Sequence, residues 1–298
     1  MDDVLLLDGP MGTELLARGV PTPLPGWSAH ALEEAPDTVA EVHRAYAAAG
    51  ATVHTTNTFR TRPSVFPHAW RRLAERAAAL AREATPAGQR VAGSIAPLED
   101  CYRPDRSPAD TDRAGTRARH LELAEVLAPA VDLLLCETFP HGGEALLALD
   151  AALETGREVW LALSPGPNAD LLTPSAVLAT AKSALHAGAG AVLVNCLPLE
   201  SVPPFLDALA EATSAGGGRF GVYANAGWVE DQSGWRPKDL AAQRYADEAL
   251  RWHATGATIL GSCCGTGPAH VEAVSRALAA RAEKRQEPKS GPGTPPQA

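Results

Sequence analysis

Residues 189–198 read AGAVLVNCLP, and this stretch decides the fold. It is apolar over 191–194, without the polar alternation of a half-exposed strand. A strand covered on both faces, as in a parallel sheet flanked by helices, has this continuous apolar pattern. The run ends on Asn195 and Cys196. It therefore predicts a buried parallel strand with an amide and a thiol at its carboxyl end.

Seven further runs of the same kind lie on either side of this stretch. They are Val4–Gly9, Ala51–Phe59, Arg90–Pro97, Val131–Phe139, Glu158–Pro165, Arg219–Gly227 and Ala257–Cys264. Helix-like segments separate the runs. The first opens at Pro36 and Asp37 and places Val39, Val42 and Tyr46 on one face. The others are Trp70–Glu83, Arg113–Ala128, Gly143–Glu154, Thr173–Ala187, Val202–Ala215, Pro237–Thr255 and Pro268–Ala282.

Eight strands, each followed by a helix, predict an α/β fold, the (β/α)₈ or TIM barrel, as a single domain over residues 1–282. The structural alternative is a doubly wound open sheet. Such a sheet has a glycine-rich first turn, whereas the first turn here, residues 8–13, reads DGPMGT and lacks the G-x-G-x-x-G spacing. Residues 283–298 are charged and then rich in Pro and Gly, so we expect a disordered tail.

Charge and composition narrow the class of protein. The formal net charge is −9, from 26 basic and 35 acidic residues, which disfavours nucleic acid or an anionic membrane as the main partner. No apolar run approaches the roughly 18 residues of a membrane span. The start Met1-Asp2-Asp3 is acidic where a signal peptide is basic. We expect a cytoplasmic enzyme, and the sequence leaves a homo-oligomer open.

Three of the five cysteines fall where a barrel carries its active site, at the carboxyl ends of strands. Cys196 ends the sixth run, and Cys263 and Cys264 end the eighth. Strands six and eight are two positions apart around a barrel, so one ion can reach both ends. Neighbouring residues of a strand face opposite ways, and we expect Gly261 and Gly265 to let the chain curl so that both thiols face the ion.

Three thiolates suit Zn²⁺, and a fourth position left for substrate is the pattern of a catalytic zinc site. Zinc deprotonates a bound thiol, which converts a poor nucleophile into a good one. Soft thiolate ligands blunt the Lewis acidity of zinc, so methyl transfer to a thiol is favoured over hydrolysis. The simpler alternative is that cysteines are common buried residues. We assign Cys136 to the core, and Cys101, in a loop, receives no role.

The chain resembles the homocysteine S-methyltransferase family, a set of zinc-dependent TIM barrels. The matching stretches read DGPMGTEL at 8–15, WSA at 27–29, TNTF at 56–59, ET at 137–138, VNC at 194–196 and GSCCGT at 261–266. They extend from residue 8 to the last helix, so the resemblance covers nearly the whole chain. Ser262 departs from the family, which usually has a glycine before the cysteine pair.

The resemblance implies how homocysteine is held. Backbone N–H groups around Met11, Gly12 and Thr13 would bind its carboxylate, Glu137 its ammonium group, and Asn225 would lie beside it. The residues alone also allow a plain strand-to-helix turn at Gly12, an Arg or Lys partner for Glu137, and a loop cap for Asn225. Asp8 and Asn57 also lie at the predicted rim of the barrel, where we expect them to have structural or supporting roles.

The methyl donor must carry an electrophilic methyl group on a sulfonium, a quaternary ammonium or methylcobalamin. A cationic donor favours aromatic walls, and Trp27, Trp228, Trp235 and Tyr223 are available. Trp27, in its Trp-Ser-Ala setting, resembles the S-methylmethionine-using branch. Both ends of the barrel sequence are also similar to the homocysteine module of cobalamin-dependent methionine synthase.

We therefore expect a zinc-dependent transfer of a methyl group from S-methylmethionine or a similar donor to homocysteine, giving methionine. Two alternatives stay open at this point. One is a homocysteine-activating subunit that works with a separate corrinoid protein, and the other is a non-catalytic zinc-binding barrel. His54 and His270 belong to no paired motif, and methyl transfer itself needs no general base, so neither is assigned a role.

Overall fold

The computed structural model describes residues 4–231, 234–237 and 239–286. The strands are β1 Leu5–Leu6, β2 Val53–Thr55, β3 Arg90–Ile95, β4 Leu133–Phe139, β5 Glu158–Leu163, β6 Ala191–Pro198, β7 Arg219–Asn225, β8 Trp228–Asp231, β9 Gly234–Pro237 and β10 Ile259–Ser262. The helices are α1 Met11–Ala17, α2 Ala31–Glu34, α3 Pro36–Ala48, α4 Trp70–Ala84, α5 Arg113–Leu127, α6 Gly142–Leu153, α7 Pro174–Ala187, α8 Val202–Gly216, α9 Ala242–Ala254 and α10 Pro268–Gln286.

Eight of these strands form one parallel sheet in the order β1-β10-β7-β6-β5-β4-β3-β2. A parallel bridge between Leu7 and Val53 joins the two ends of the sheet. The Asp8 N–H donates to the Val53 carbonyl at 3.0 Å across the same junction. The sheet thus closes on itself, and the predicted single-domain (β/α)₈ barrel is confirmed. An open doubly wound sheet is excluded.

Side chains of each strand alternate between two apolar layers. In β4, Leu133 and Leu135 belong to the cluster inside the barrel, which also contains Trp160. Leu134 and Cys136 belong to the larger cluster between the strands and the helices. Because both faces are buried, the strand is apolar at every position from Leu133 to Cys136, which explains the continuous runs in the sequence. The assignment of Cys136 to the core is confirmed.

The segment after β7 departs from the expectation of a helix over Pro237–Thr255. Gly234–Pro237 instead pairs antiparallel with Trp228–Asp231, and α9 begins only at Ala242. Pro237, which resembles a helix start in the sequence, lies opposite Trp228 at the end of this ribbon. A proline is accepted there because it need not donate a ladder hydrogen bond at the margin of a two-stranded ribbon.

The last helix is longer than expected. It continues to Gln286, so residues 283–286 of the expected tail are helical. Glu283 and Lys284, two of the charged residues of this segment, have high helix propensity and extend the helix into solvent. The rest of the expected tail, 287–298, lies outside the described residues. Among the helices that the structure describes, none is both long and apolar enough to cross a membrane.

Candidate active site

Cys196, Cys263 and Cys264 lie together at the carboxyl mouth of the barrel, and we call them the thiol cluster. Their sulfur atoms all lie within 4.8 Å of one another, and the Cys196 and Cys263 Sγ atoms are 2.9 Å apart. Cys196 comes from β6, and the adjacent pair follows β10. One strand, β7, separates these two strands in the sheet. The two cysteine-bearing strands are therefore two positions apart around the barrel, as the sequence predicts.

The chain turns at the cysteine pair because β10 ends one residue earlier. Cys263 still donates its N–H to the Ala224 carbonyl at 2.9 Å, and Gly265 then adopts a φ of +81°. The expected role of Gly265 holds, but that of Gly261 is wrong. Gly261 lies inside the strand, where a Cβ would stand 2.7 Å from the Leu7 Cβ. Its lack of a side chain permits close strand packing rather than the curl.

Two non-glycine residues with positive φ shape the mouth where β4 and β6 end. Thr138 in β4 has a φ of +62° and Cys196 in β6 a φ of +55°, and both strands shift register there. The buried Asn195 amide joins them: it accepts from the Thr138 N–H at 3.2 Å and donates to Thr138 Oγ1 at 2.7 Å. Left-handed residues other than glycine cost roughly 1–2 kcal/mol each, so this bridge holds a strained arrangement.

No role of its own was predicted for Asn195. A polar amide inside the apolar run 191–198 is the signal that could have indicated one, because a buried amide needs partners. Its neighbours along the chain are Val194 and Cys196, and Thr138 is preceded by Glu137. The bridge between β4 and β6 therefore fixes the backbone beside one cysteine and one carboxylate of the mouth.

The thiol cluster favours one negative charge. Hydrogen bonds from Cys196 and Cys263 hold the pKa of Cys264 well below its ordinary value. The same contacts with Cys263 and Cys264 raise the pKa of Cys196 well above that value. Three sulfur donors around one point are the ligand set that soft and borderline metals prefer, so the residues fit a thiolate-bound ion. The Tyr102 hydroxyl, unforeseen from the sequence, lies 3.7 Å from Cys196 Sγ.

A cavity of about 450 Å³ opens above the thiol cluster. Glu137 lines it, and its carboxylate accepts from Ser94 Oγ at 2.5 Å and from the Tyr223 hydroxyl at 3.1 Å. Burial raises the pKa of Glu137, although both hydrogen bonds oppose this rise. Among the described residues, no Arg or Lys pairs with it, so the alternative of an internal basic partner is excluded. The site therefore offers a buried carboxylate without a countercharge.

A second carboxyl group, Asp8, lines the same cavity from the end of β1. Burial raises its pKa to about 8, although its Oδ2 accepts from the Thr55 N–H at 2.8 Å. Met11 and Gly12, which begin α1, also line the cavity. Thr13 does not: its hydroxyl accepts from the Gly265 N–H at 3.3 Å and ties α1 to the loop of the cysteine pair.

Trp27 closes the cavity above α1. Its φ is +47°, and its indole lies so near Gly12 that a Cβ there would stand 2.3 Å from the ring. The edge of Phe59 meets the indole with ring centroids 6.0 Å apart. Asn57 supports this segment, because its amide accepts from Ser28 Oγ at 2.7 Å and donates to the Ser28 carbonyl at 2.9 Å. Asn57 thus holds the loop that carries Trp27.

Other residues singled out in the sequence lie elsewhere. Asn225 accepts from the Gly227 N–H at 2.8 Å and does not line the described cavity, which matches the loop-cap alternative. His270 bonds through both ring nitrogens, to the Gly267 N–H and the Leu240 carbonyl, and stays without a chemical role. Cys101 lies in a loop as expected, but it is buried there and lines the cavity. Two of the candidate aromatic residues, Trp228 and Trp235, have side chains that lie outside the described part of the structure.

The fold and the site together define a (β/α)₈ barrel whose three-thiol, metal-competent centre faces a cavity at the mouth. Residues 5–278 match the family model described as Homocysteine S-methyltransferase. The chain therefore belongs to the homocysteine S-methyltransferase family and is an enzyme of that family. The resemblance inferred from the motifs is confirmed.

Relatives agree over nearly the full length. A homocysteine S-methyltransferase of Escherichia coli (strain K12) is 33% identical over 301 residues, covering 91% of this chain and 94% of the relative. An S-methylmethionine–homocysteine S-methyltransferase, BHMT2, of Pongo abelii is 28% identical, covering 85% and 72%. The metallated crystal structure of the E. coli homocysteine methyltransferase MmuM superposes with a TM-score of 0.75 at 29% identity, covering 92% of this chain and 96% of that one.

Proposed function

We propose that this enzyme transfers a methyl group from a small cationic donor, S-methylmethionine or a close analogue, to the thiol of homocysteine, giving methionine. The observation that carries the proposal is the thiol cluster, because its three sulfur atoms converge at the wall of a cavity of about 450 Å³. A cavity of this size suits small molecules. The name of the Pongo abelii relative supports S-methylmethionine as the donor.

Zinc is the metal we propose for the thiol cluster. Three cysteine sulfurs facing a cavity leave room for one exogenous ligand, the pattern of catalytic zinc sites. When bound, the ion supplies a low pKa for a substrate thiol, so that the thiol is present as thiolate at neutral pH. A metallated relative of the same fold supports this assignment. Three adjacent free thiols also fit a reducing compartment such as the cytoplasm.

The amino-acid part of homocysteine is held by the wall opposite the thiols. Glu137 and Asp8 are buried carboxyl groups that line the cavity, and both gain a countercharge when an ammonium group enters. The pKa of each is raised by burial, and an adjacent cation would lower it again. Met11 and Gly12 line the cavity at the start of α1, and their backbone N–H groups would take the carboxylate. We assign Thr13 to positioning this turn.

The transfer is a direct displacement. The homocysteine sulfur, having lost its proton, forms a bond to the methyl carbon while the bond from that carbon to the donor sulfur breaks. The electron pair of that bond stays on the donor, which leaves as a neutral thioether. Trp27 and Phe59 form an aromatic wall that attracts the positive charge of the sulfonium.

The proposal is tested with the purified chain alone, reconstituted with zinc and supplied with homocysteine and S-methylmethionine. Methionine formed beyond the amount contributed by the donor supports it; isotopic labelling of homocysteine makes that count direct. Glycine betaine in place of S-methylmethionine serves as the control donor. Activity only after addition of a methylated corrinoid protein would overturn the choice of donor. Zinc binding without turnover by any donor would favour a non-catalytic barrel.

A further inference from the structure

A second group of metal-binding side chains lies beside the cavity. Asp8 at the end of β1, His43 on α3 and His54 on β2 each place one donor atom within 4.8 Å of the others. We call these three residues the His–Asp cluster. It is deeply buried, with Asp8 exposed by 6% and both histidines by 0%. None of the three belongs to the thiol cluster, and neither histidine lines the described cavity.

The imidazoles of this cluster lack hydrogen-bond partners. Both ring nitrogens of His43 and the Nδ1 of His54 are buried without a partner among the described residues. The other nitrogen of His54, Nε2, lies 2.6 Å from Gln89 Oε1. An amide oxygen only accepts, so Nε2 carries the hydrogen and Nδ1 presents a lone pair. Metal-bound histidines are oriented in this way by a second partner on the far nitrogen.

Leaving these atoms unpaired is expensive. A buried polar atom without a partner costs about 1–3 kcal/mol, and His43 and His54 hold three such atoms among the described residues. The carboxyl group of Asp8 adds acceptor capacity, since its donors are the backbone N–H of Thr55 at 2.8 Å and the side chain of the same residue, and a carboxylate can accept further contacts. Each of the three side chains, Asp8 once it has lost its proton, can therefore present one acceptor atom to the same space. An occupant that accepts electron pairs from each of them would satisfy the cluster.

We propose that the His–Asp cluster binds one divalent first-row transition-metal ion through Asp8, His43 and His54. Two imidazole nitrogens and one carboxylate oxygen are a ligand set that such ions prefer, whereas Mg²⁺ and Ca²⁺ prefer oxygen alone. The ion ties β1, β2 and α3 together at the closing junction of the barrel. Because Asp8 also lines the cavity, the ion fixes the carboxylate that faces the substrate. The observations behind this site do not depend on the methyl-transfer proposal, although the two share Asp8.

The test uses Co²⁺, whose spectrum distinguishes sulfur from nitrogen and oxygen ligands. Reduced, metal-free protein is loaded with excess Co²⁺, desalted and analysed for metal and absorption. We expect about two ions per chain, only one of which gives thiolate-to-cobalt charge-transfer bands. In His54→Leu, the charge-transfer bands should persist while the metal content falls to about one ion. The matched control is His253→Gln, since His253 bonds only the nearby Ala257 carbonyl.

The outcomes decide the proposal in either direction. A single ion in the unmodified protein, all of it sulfur-bound, would mean that a buried water satisfies the three side chains. Two ions retained in His54→Leu would place the second ion elsewhere. Circular dichroism checks that the variant folds, and His43→Gln replaces it if it does not. X-ray absorption of the unmodified two-ion protein needs no variant: an imidazole shell supports the site, and sulfur ligands alone contradict it.

Discussion

The thiol cluster and the His–Asp cluster are both built at the carboxyl end of the barrel, but they differ in how their atoms are satisfied. The sulfurs of Cys196 and Cys263 contact each other and open to the cavity. The imidazoles of His43 and His54 leave three nitrogens unbonded and are fully buried. An accessible set of donors with one position free suits an exchanging substrate. A closed set behind the wall suits an ion that stays in place.

We expect the largest effect when a sulfur ligand is removed, because this change should affect the thiol cluster and leave the His–Asp cluster intact. Cys264→Ala should lower kcat/KM at least about 1,000-fold, or about 4 kcal/mol, because the substrate thiol is no longer activated. The metal of the thiol cluster should be lost while the metal of the His–Asp cluster remains. Steady-state kinetics and metal analysis measure both. Cys136→Ala, a core cysteine away from the cavity, is the control and should keep both ions.

Glu137→Gln sharpens the comparison at the cavity wall, where Glu137 and Asp8 face the same space. Replacing the carboxylate by an amide removes a charge-assisted contact with the ammonium group, worth about 1.5–3 kcal/mol. We expect KM for homocysteine to rise roughly 10- to 100-fold, with a smaller change in kcat. Ser94→Ala, which removes one hydrogen bond to Glu137, should have a smaller effect. An unchanged KM would remove Glu137 from substrate binding.

Asn195→Ala tests whether the bridge between β4 and β6 supports the thiol cluster and not the His–Asp cluster. The Thr138 N–H loses its acceptor, and the free energy of unfolding should fall by about 1–3 kcal/mol. Zinc affinity at the thiol cluster should fall roughly 10-fold, as for other residues that orient ligands. The His–Asp cluster should be unaffected. Thr138→Ser, which keeps the hydroxyl, is the conservative control, and equal losses in both variants would contradict the bridging role of the Asn195 amide.

The smallest effect concerns pH and stability in the metal-free protein. Burial raises the pKa of Glu137 above its ordinary value of 4.5. A carboxyl with a raised folded-state pKa stabilises the fold below that ordinary value, and this contribution is lost as the pH rises. Glu137→Gln should therefore raise the melting temperature more at about pH 8 than at about pH 5. Differential scanning calorimetry measures both. An equal gain at the two pH values would contradict the buried, uncompensated carboxylate.

The barrel and the thiol cluster could both be predicted from the sequence. Apolar runs covered on both faces mark parallel strands, and polar residues at their ends mark the mouth. The cysteines of β6 and β10 could be paired because strand order follows chain order in a barrel. The ribbon of β8 and β9 was missed, since Pro237 suits a helix start as well as a strand end.

The His–Asp cluster could not be predicted, because it combines a helix face with the outward side of two strands. His43 and His54 are separated in the sequence, and only packing of α3 against β1 and β2 brings them to Asp8. The sequence alone gave no reason to link them. The same limit applies to Tyr102, whose contact with Cys196 depends on the path of a long loop. Loop conformation is set by tertiary contacts rather than by local pattern.

Zinc K-edge X-ray absorption on protein loaded with one equivalent of zinc, with and without homocysteine, tests the central claim most directly. The thiol cluster predicts about three sulfur neighbours in the free enzyme and about four after homocysteine is added. The added sulfur would show that the substrate thiol itself joins the site. A spectrum that gains no sulfur, or one without sulfur neighbours at the start, would contradict thiol activation at Cys196, Cys263 and Cys264.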